Sequence, residues 1–534
     1  MNNPYLIRKS NKYSALAKAS AIYFVVLFLT FMSFRPALNG GFVNFDDGPH
    51  LLRNPQVKSL AVENIKDIFS TTVNNIYCPL AILSFAVEYH FFKLNPFIYH
   101  LDNLLLHGAV ICLVMWFCMQ LGLNYAAAAL AALLFGIHPM HVESVAWVTE
   151  RKDVLYAFFY MFSLCCYMKY LVNGRTPAYL LAVLSGVLSM LAKPMALSLS
   201  LIFFLCDWYT ARKFGPRAIA DKVFIFLCAV PIAWQTYRLH QYPVLIGLRE
   251  KILYTLWALT FYVRKFFFPY PIDLFYKIPP ASPLGPSWWG TAVVLGVWIF
   301  LIYRFRRNKI FLFANAFYVL SVFFLLRATH THEFSFGSAP LYGVANRFMY
   351  LPSLGYCALV GYFLGRVLEN FRKRGVVFFA LIASATALLF AWLSFESFLQ
   401  CHYWKDGMRL WSAAIAQNPD NATAYNNRGV LQKTPVLALN DYNRCIDIDP
   451  NFPEAYFNRA NLYLKKGLPD LAIRDYSKHL TFDPDHAEAF RARSWAYFDR
   501  GDFQRALEDA RKAKSLGLAI DGEYFSMLLK RAGK

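Results

Sequence analysis

The sequence predicts an all-α protein in two parts. A polytopic membrane helical domain of about eleven spans covers residues 1–400, and an α-solenoid of helical repeats covers 401–534. Three observations carry this. The 534 residues are 57% hydrophobic and only 16% charged, too apolar for a soluble chain of this length. Apolar runs of roughly 20 residues, each long enough to cross a bilayer, recur from Ala21 to Leu393. After about residue 400 the composition turns polar and a repeat begins.

Charge placement orients the spans. Arg8, Lys9, Lys12 and Lys18 precede the first run and are expected inside by the positive-inside rule. A span at 17–36 then exports the stretch Phe42-Val43-Asn44-Phe45-Asp46-Asp47. Ala21–Phe34 has the length of a signal-peptide core, but no small-residue cleavage site precedes the acidic pair, so it reads as a retained anchor. Residues 37–100 form a long outer loop rich in Asn, Pro and aromatics. Spans are expected at 100–119 and 123–137, with His138–Trp147 outside, and then at 153–171.

Spans at 179–192 and 196–209 turn outside at Lys193-Pro194. The loop with Arg212, Lys213, Arg217 and Lys222 is inside, and a span at 223–237 follows. Ile252–Phe268 is apolar enough to cross. Crossing would put Arg304, Arg306, Arg307 and Lys309 outside, so a re-entrant or interfacial helix is preferred. Spans at 288–303 and 309–327, an outer loop at 328–347, and spans at 348–366 and 376–396 complete the domain. Arg372, Lys373 and Arg374 then lie inside and the repeats outside. The net charge of +21 is scattered over inter-span clusters, which argues for membrane topology and against a nucleic-acid partner. The ten cysteines form no CxxC pair and fall mostly in apolar runs, as small buried hydrophobes.

The C-terminal part repeats every 34 residues. Ala455-Tyr456-Phe457-Asn458-Arg459 returns as Ala489-Phe490-Arg491-Ala492-Arg493, and Pro450/Pro484, Gly467/Gly501 and Ala472/Ala506 keep the same period. This is the helix–turn–helix period of tetratricopeptide (TPR) repeats, which stack into a curved peptide-binding surface. An earlier copy, Ala424-Tyr425-Asn426-Asn427-Arg428, is offset by 31 residues and reads as a repeat shortened at its inter-helix turn, around Lys433–Pro435.

Several segments, in order along the chain, carry a family resemblance. They are FVNFDD at 42–47, LNPFIYHLDNLLLH at 94–107, HPMHVESVAWVTERKDVL at 138–155, AKPMALSL at 192–199, CDWY at 206–209 and NRFMYLPSLG at 346–355. With the terminal repeats, they resemble the TPR-containing membrane proteins related to protein O-mannosyltransferases (TMTC-type, bacterial-type member). Two positions depart from that pattern. Cys78 stands where Arg or His often precedes Pro79-Leu80, and Asn346 where an acidic residue often precedes the late Arg. Both bear on donor or acceptor preference.

The resemblance implies a GT-C glycosyltransferase fold. Its members move a sugar from a polyprenyl-phosphate carrier to an acceptor on the outer face. In eukaryotic relatives the sugar is mannose and the acceptor a Ser or Thr hydroxyl. The implied partners are the lipid-linked donor, acceptor proteins or peptides held by the TPRs, and membrane lipids. The implied location is a bacterial inner membrane with periplasmic TPRs, or the endoplasmic reticulum in a eukaryote. Transfer to a glycolipid or polysaccharide, and a non-enzymatic TPR scaffold, are the alternatives.

Such a reaction needs a base for the acceptor hydroxyl and cations for the leaving phosphate. Asp46 and Asp47 are the candidate base. Adjacent side chains rarely face the same way, so one of the two takes the proton, and the sequence does not choose. The competing role for the pair is a solvated, helix-capping turn before Gly48-Pro49. Arg151, Lys193 and Arg347, each at an outer span end, are the candidate phosphate ligands, against snorkelling or ion pairing, as of Arg151 with Glu150 or Asp153. His138 and His141 are candidate donors to acceptor or phosphate, and Glu143 and Glu150 would position the cations. No cofactor or metal is expected: His330, His332 and Glu333 lack further ligands at fixed spacing.

Overall fold

A computed structural model describes residues 4–239, 248–276, 286–328 and 344–533. His330, His332 and Glu333, and most of the expected outer loop 328–347, lie outside the described residues. The chain divides into two compact units. One comprises Met1–Ile272, Ile278–Thr331 and Tyr342–Asp406, the other Asp273–Lys277, His332–Leu341 and Gly407–Lys534. Among the described residues both are helical, and the one strand-like feature is an isolated bridge between Val73 and Ile76.

The first unit runs α1 (Pro4–Phe34), α2 (Val62–Ser70), α3 (Pro79–Phe92), α4 (Pro96–Gln120), α5 (Tyr125–Ile137), α6 (Val142–Ala146), α7 (Arg151–Asn173) and α8 (Thr176–Ala192). It continues with α9 (Leu199–Tyr209), α10 (Pro216–Leu239), α11 (Leu248–Phe267), α12 (Pro286–Arg304), α13 (Lys309–Ala328), α14 (Ser353–Arg374) and α15 (Val376–Cys401). Local sequence sets the ends. Asn95 and Asn124 cap α4 and α5 by accepting from Phe97 N and Ala127 N. Gly174, at φ 65°, closes α7 in the left-handed conformation that glycine tolerates.

Burial ranks the helices. The apolar stretch of α7 is 72% buried, that of α4 50% and that of α15 only 17%, so α7 is the centre of the bundle and α15 its rim. The helix α14 approaches α5 through Gly361 and Gly365, spaced G-x-x-x-G. A Cβ on Gly361 would stand 2.5 Å from the Ala127 carbonyl oxygen, so no larger residue fits.

Each of the eleven predicted spans falls on a helix, but length divides them. Among the described residues, five helices are long and apolar enough to cross a membrane, or six if the bent pair Tyr125–Ile137 and Pro139–Ala146 is one span. Two further apolar helical segments, Thr176–Ala192 and Pro194–Tyr209, are shorter, at 10–17 residues. At 1.5 Å per residue these two reach about 24–26 Å, short of a ~30 Å hydrocarbon core, whereas α12 and α13, at 19 and 20 residues, reach about 29–30 Å. The segment His138–Trp147, expected as an outer loop, is buried throughout. Pro139 breaks the helix, the chain bends by 51°, and α6 folds back into the protein.

The second unit carries the repeats: α16 (Gly407–Gln417), α17 (Ala422–Leu431), α18 (Pro435–Ile448), α19 (Pro453–Lys465), α20 (Pro469–Phe482), α21 (Ala487–Arg500), α22 (Phe503–Ser515) and α23 (Gly522–Arg531). Ala460, Ala472, Tyr476 and Ala496 form the core between successive hairpins, and Tyr524 and Leu528 of α23 close it. Each hairpin is clamped by one bidentate Arg–Asp pair: Arg428–Asp441, Arg459–Asp475 and Arg493–Asp509. The later two pairs are 16 positions apart and the first is 13 apart. The three residues missing from the 31-residue offset are therefore lost within the first hairpin. The later turns contain Gly467 and Gly501 at φ 70° and 86°, whereas the first turns at Gln432, φ −62°.

Candidate functional site

The acidic stretch is held by its own second carboxylate. Asp47 is buried, and its Oδ2 accepts from Val43 N at 2.8 Å. Its Oδ1 accepts from Trp147 Nε1 at 3.0 Å, from Thr149 N at 3.2 Å and from Thr149 Oγ1. Both oxygens only accept, which is the pattern of an ionised carboxylate. Burial pushes the Asp47 carboxyl up to about 6 against the pull of these donors. Aromatic rings complete the joint: Trp147 lies between Phe45 and Trp404, both stacked with centroids 5.0 Å away.

Asp46 stands differently. It is partly exposed, and its carboxylate takes one long bond, 3.4 Å from Asn74 Nδ2. Asn74 is presented by a tight turn in which Asn74 and Asn75 both have positive φ. The Asp46 carbonyl accepts from His50 N and holds His50 Nδ1, each at 3.1 Å. A carbonyl can only accept, so Nδ1 carries the proton and Nε2 is bare. That nitrogen is buried without a hydrogen-bond partner. Burial, followed by the Lys152 charge, lowers the His50 pKa to about 4, so the ring is neutral.

Beside the pair lies a buried set of alternating charges. Glu150 pairs with Lys152 at 3.1 Å, Lys193 at 3.3 Å and Arg347 Nε at 3.6 Å. Lys193 also pairs with Asp153, and Arg347 with Glu143, whose Oε2 accepts from Arg347 N at 3.1 Å. Three cations thus share three carboxylates. Lys152 and Arg347 both approach the Trp147 ring, at 5.8 and 5.7 Å. Elements far apart in sequence meet here: the loop after α1, the α6–α7 corner, the α8–α9 turn and the segment before α14.

The structure thus brings Asp46, Asp47, Glu143, Glu150, Lys193 and Arg347 into one region, but not the others. Arg151 faces α3 and α4. Its Nη2 meets Glu88 at 3.0 Å and the Tyr99 carbonyl at 2.9 Å, its Nη1 meets Asp102 at 2.8 Å, and its Nε meets Asn103. Fully enclosed, it joins three helices and has no donor left for a phosphate. His138 accepts from Met140 N and donates to the Phe266 carbonyl at 3.0 Å. His141 is held between the Phe135 carbonyl, 2.7 Å away, and Ser353 Oγ, 2.9 Å away. Both histidines stabilise the bend, and neither faces the Asp pair.

Sequence reading missed Lys152 and His50. Only helical phase could have singled out Lys152, because consecutive helical residues point about 100° apart and Arg151 and Lys152 therefore face opposite clusters. Cys78, one of the two departures from the family pattern, stands at the N-terminus of α3 without a side-chain cap bond, within electrostatic reach of Lys152, Lys193 and Asp46. Burial pushes its thiol up to about 11, so it is neutral. Among the described residues, one group has metal-ligating spacing, His479, Asp483 and His486, and it lies in the repeats.

Comparisons with known proteins bear on this arrangement. Family models described as "Tetratricopeptide repeat" and "TPR repeat" match residues 453–486 and 437–467. "Protein O-mannosyl-transferase TMTC4" of Homo sapiens is 24% identical over 76% of this chain and 63% of its own length. The chain is similar to TMTC-type protein O-mannosyl-transferases. "Protein O-mannosyl-transferase tmtc2" of Xenopus laevis is 35% identical over 28% of this chain and 18% of its own length. The chain thus covers less than two thirds of either relative. A solved structure of ArnT from Cupriavidus metallidurans bound to undecaprenyl phosphate aligns over 93% of this chain and 80% of that one, at 14% identity and a TM-score of 0.35, too low to establish a shared fold.

Proposed function

We propose that this chain is an integral membrane glycosyltransferase of GT-C type. It moves a sugar, mannose or another hexose, from a polyprenyl-phosphate donor to Ser or Thr hydroxyls of acceptor proteins on the extracytoplasmic face, where the TPR array presents the acceptor. The names of its relatives support the reaction class. The observation that carries the reading is the contrast within the acidic pair: Asp47 is fully occupied, while Asp46 takes one long bond and is open to an incoming hydroxyl beside a set of paired cations and carboxylates.

Asp46 is the base. As the acceptor oxygen attacks the anomeric carbon, its proton passes to the Asp46 carboxylate, and the bond from that carbon to the phosphate oxygen breaks. The electron pair leaves with the phosphate. Lys152 and Arg347 stabilise the growing charge in a site where buried electrostatics are strong. Lys193 and Glu150 hold those cations in place. One displacement with one base inverts the anomeric centre. Asp47 positions Asp46 by tying its loop to Trp147 and Thr149.

The test is glycoproteomics of the extracytoplasmic compartment in a deletion strain complemented with wild type or with Asp46→Asn. Hexose on Ser or Thr should vanish on deletion and return only with wild type. Unchanged modification in the deletion strain would refute the assignment.

A further inference from the structure

A second charged site lies at the other end of the same helices. The turn between α12 and α13 carries Arg304, Arg306, Arg307 and Lys309, and α14 adds Arg366. Together they line a concave space of about 710 Å³. Arg347 precedes the start of α14, and Arg366 lies 13 residues beyond Ser353, or about 20 Å along the helix. The carboxylate site and this groove are therefore at opposite ends of α14.

The groove is concave and has no counter-charge among the described residues. In the α9–α10 cluster, by contrast, two of the cations are paired, Arg212 with Asp221 at 2.6 Å and Lys222 with Asp207. None of the five groove cations has an ion pair among the described residues, and no carboxylate lines the groove. Two guanidiniums are held in place by aromatic rings: Arg306 lies 4.5 Å from the Tyr303 ring and Arg366 4.8 Å from Tyr362. Such stacking orders the cations before a ligand arrives and lowers the entropy cost of binding. Five like charges in one hollow repel each other, and an anion relieves that repulsion.

An independent feature indicates where the anion comes from. Val293, Val297 and Phe300 are 65%, 53% and 62% exposed, and with Arg304 they form one stripe along α12 at helical spacing. This exposed apolar face of α12 ends at Arg304, which lines the cationic hollow, so an acyl tail on the face and an anionic head in the hollow can be held together.

We propose that the groove binds the phosphate-bearing headgroup of a membrane lipid, with the acyl chains against the Val293–Phe300 stripe. Arginine forks bind phosphate oxygens bidentately, and five cations can neutralise more than one phosphate. The site is separate from the sugar-transfer chemistry and does not depend on it.

The test uses the full chain reconstituted in nanodiscs of mixed phosphatidylcholine and phosphatidylglycerol, with lipid retention measured by native mass spectrometry. Wild type should retain the anionic lipid. At about fivefold per cation near a membrane surface, Arg306→Gln/Arg307→Gln/Arg366→Gln should weaken retention roughly 100-fold. Arg366→Gln alone, which leaves the hairpin charges and hence the topology signal in place, should weaken it about fivefold. Arg372→Gln/Lys373→Gln/Arg374→Gln removes the same charge from the same end outside the groove and should retain lipid as wild type does. Equal loss in the two triple variants, or no loss in either, overturns the proposal. Protection of wild type by inorganic phosphate, abolished in the groove variant while lipid retention is unchanged, would assign the site to a soluble anion and overturn the lipid assignment.

Discussion

Two neighbouring carboxylates should respond in opposite ways to the same isosteric change. Asp47 accepts from four donors in a buried joint, and Asp46 from one at 3.4 Å. Asp47→Asn replaces one acceptor oxygen with an NH₂ group. Whichever way the amide turns, that group faces either Val43 N–H or the donors of Trp147 and Thr149. A buried donor left unsatisfied costs about 1–3 kcal/mol, and the remaining bonds lose their charge assistance, so the loss is about 3 kcal/mol. Asp46→Asn breaks one long bond at a partly exposed position and should stay within about 0.5 kcal/mol of wild type. The assay is thermal unfolding of the detergent-solubilised full chain, read by intrinsic tryptophan fluorescence, since Trp147 and Trp404 stack at the joint. Equal melting temperatures for Asp47→Asn and wild type, or equal losses in both variants, would refute the division of roles.

Three further predictions follow from the same contacts. Arg151→Leu strands Glu88 in the interior and should destabilise by about 3–5 kcal/mol, seen as loss of the monodisperse protein on size-exclusion chromatography. Lys152→Ala should lower kcat by about 10²–10³-fold if it stabilises the departing phosphate, with the fold retained by circular dichroism. His50 has a folded pKa of about 4 against an ordinary 6.5, so its contribution to stability is present above pH 6.5 and is lost as pH falls through 4. Between pH 7 and pH 5 that loss is about 2 kcal/mol, and the drop in melting temperature should be smaller in His50→Gln.

The helices and the repeats were legible because their signals are local. Apolar runs mark helices, and a fixed period marks the hairpins, so even the missing three residues between Arg428 and Asp441 were visible as a 31-residue offset. The bend at Pro139 was not, because a run such as Tyr125–Ile137 reads as a span whether the chain continues or turns there. At the site, the segments that meet were recognisable from their motifs, while the direction of individual side chains was not. Arg151 and Lys152 differ by one position in sequence and by an entire cluster in space. Asp46 and Asp47 are chemically identical until the positions of Trp147 and Thr149 are known. His138 and His141 looked polar and exposed because a Pro-containing break reads as a loop, whereas here it folds inward.

The most direct test is transfer by the purified full chain in vesicles, using a polyprenyl-phosphate-linked hexose of defined anomeric configuration and a Ser/Thr-containing acceptor protein. Wild type should release polyprenyl phosphate and yield a product of inverted configuration by NMR. Asp46→Asn, folded and stable, should be slower by about 10²–10⁴-fold. Transfer at the wild-type rate by Asp46→Asn, or a product of retained configuration, would contradict the account.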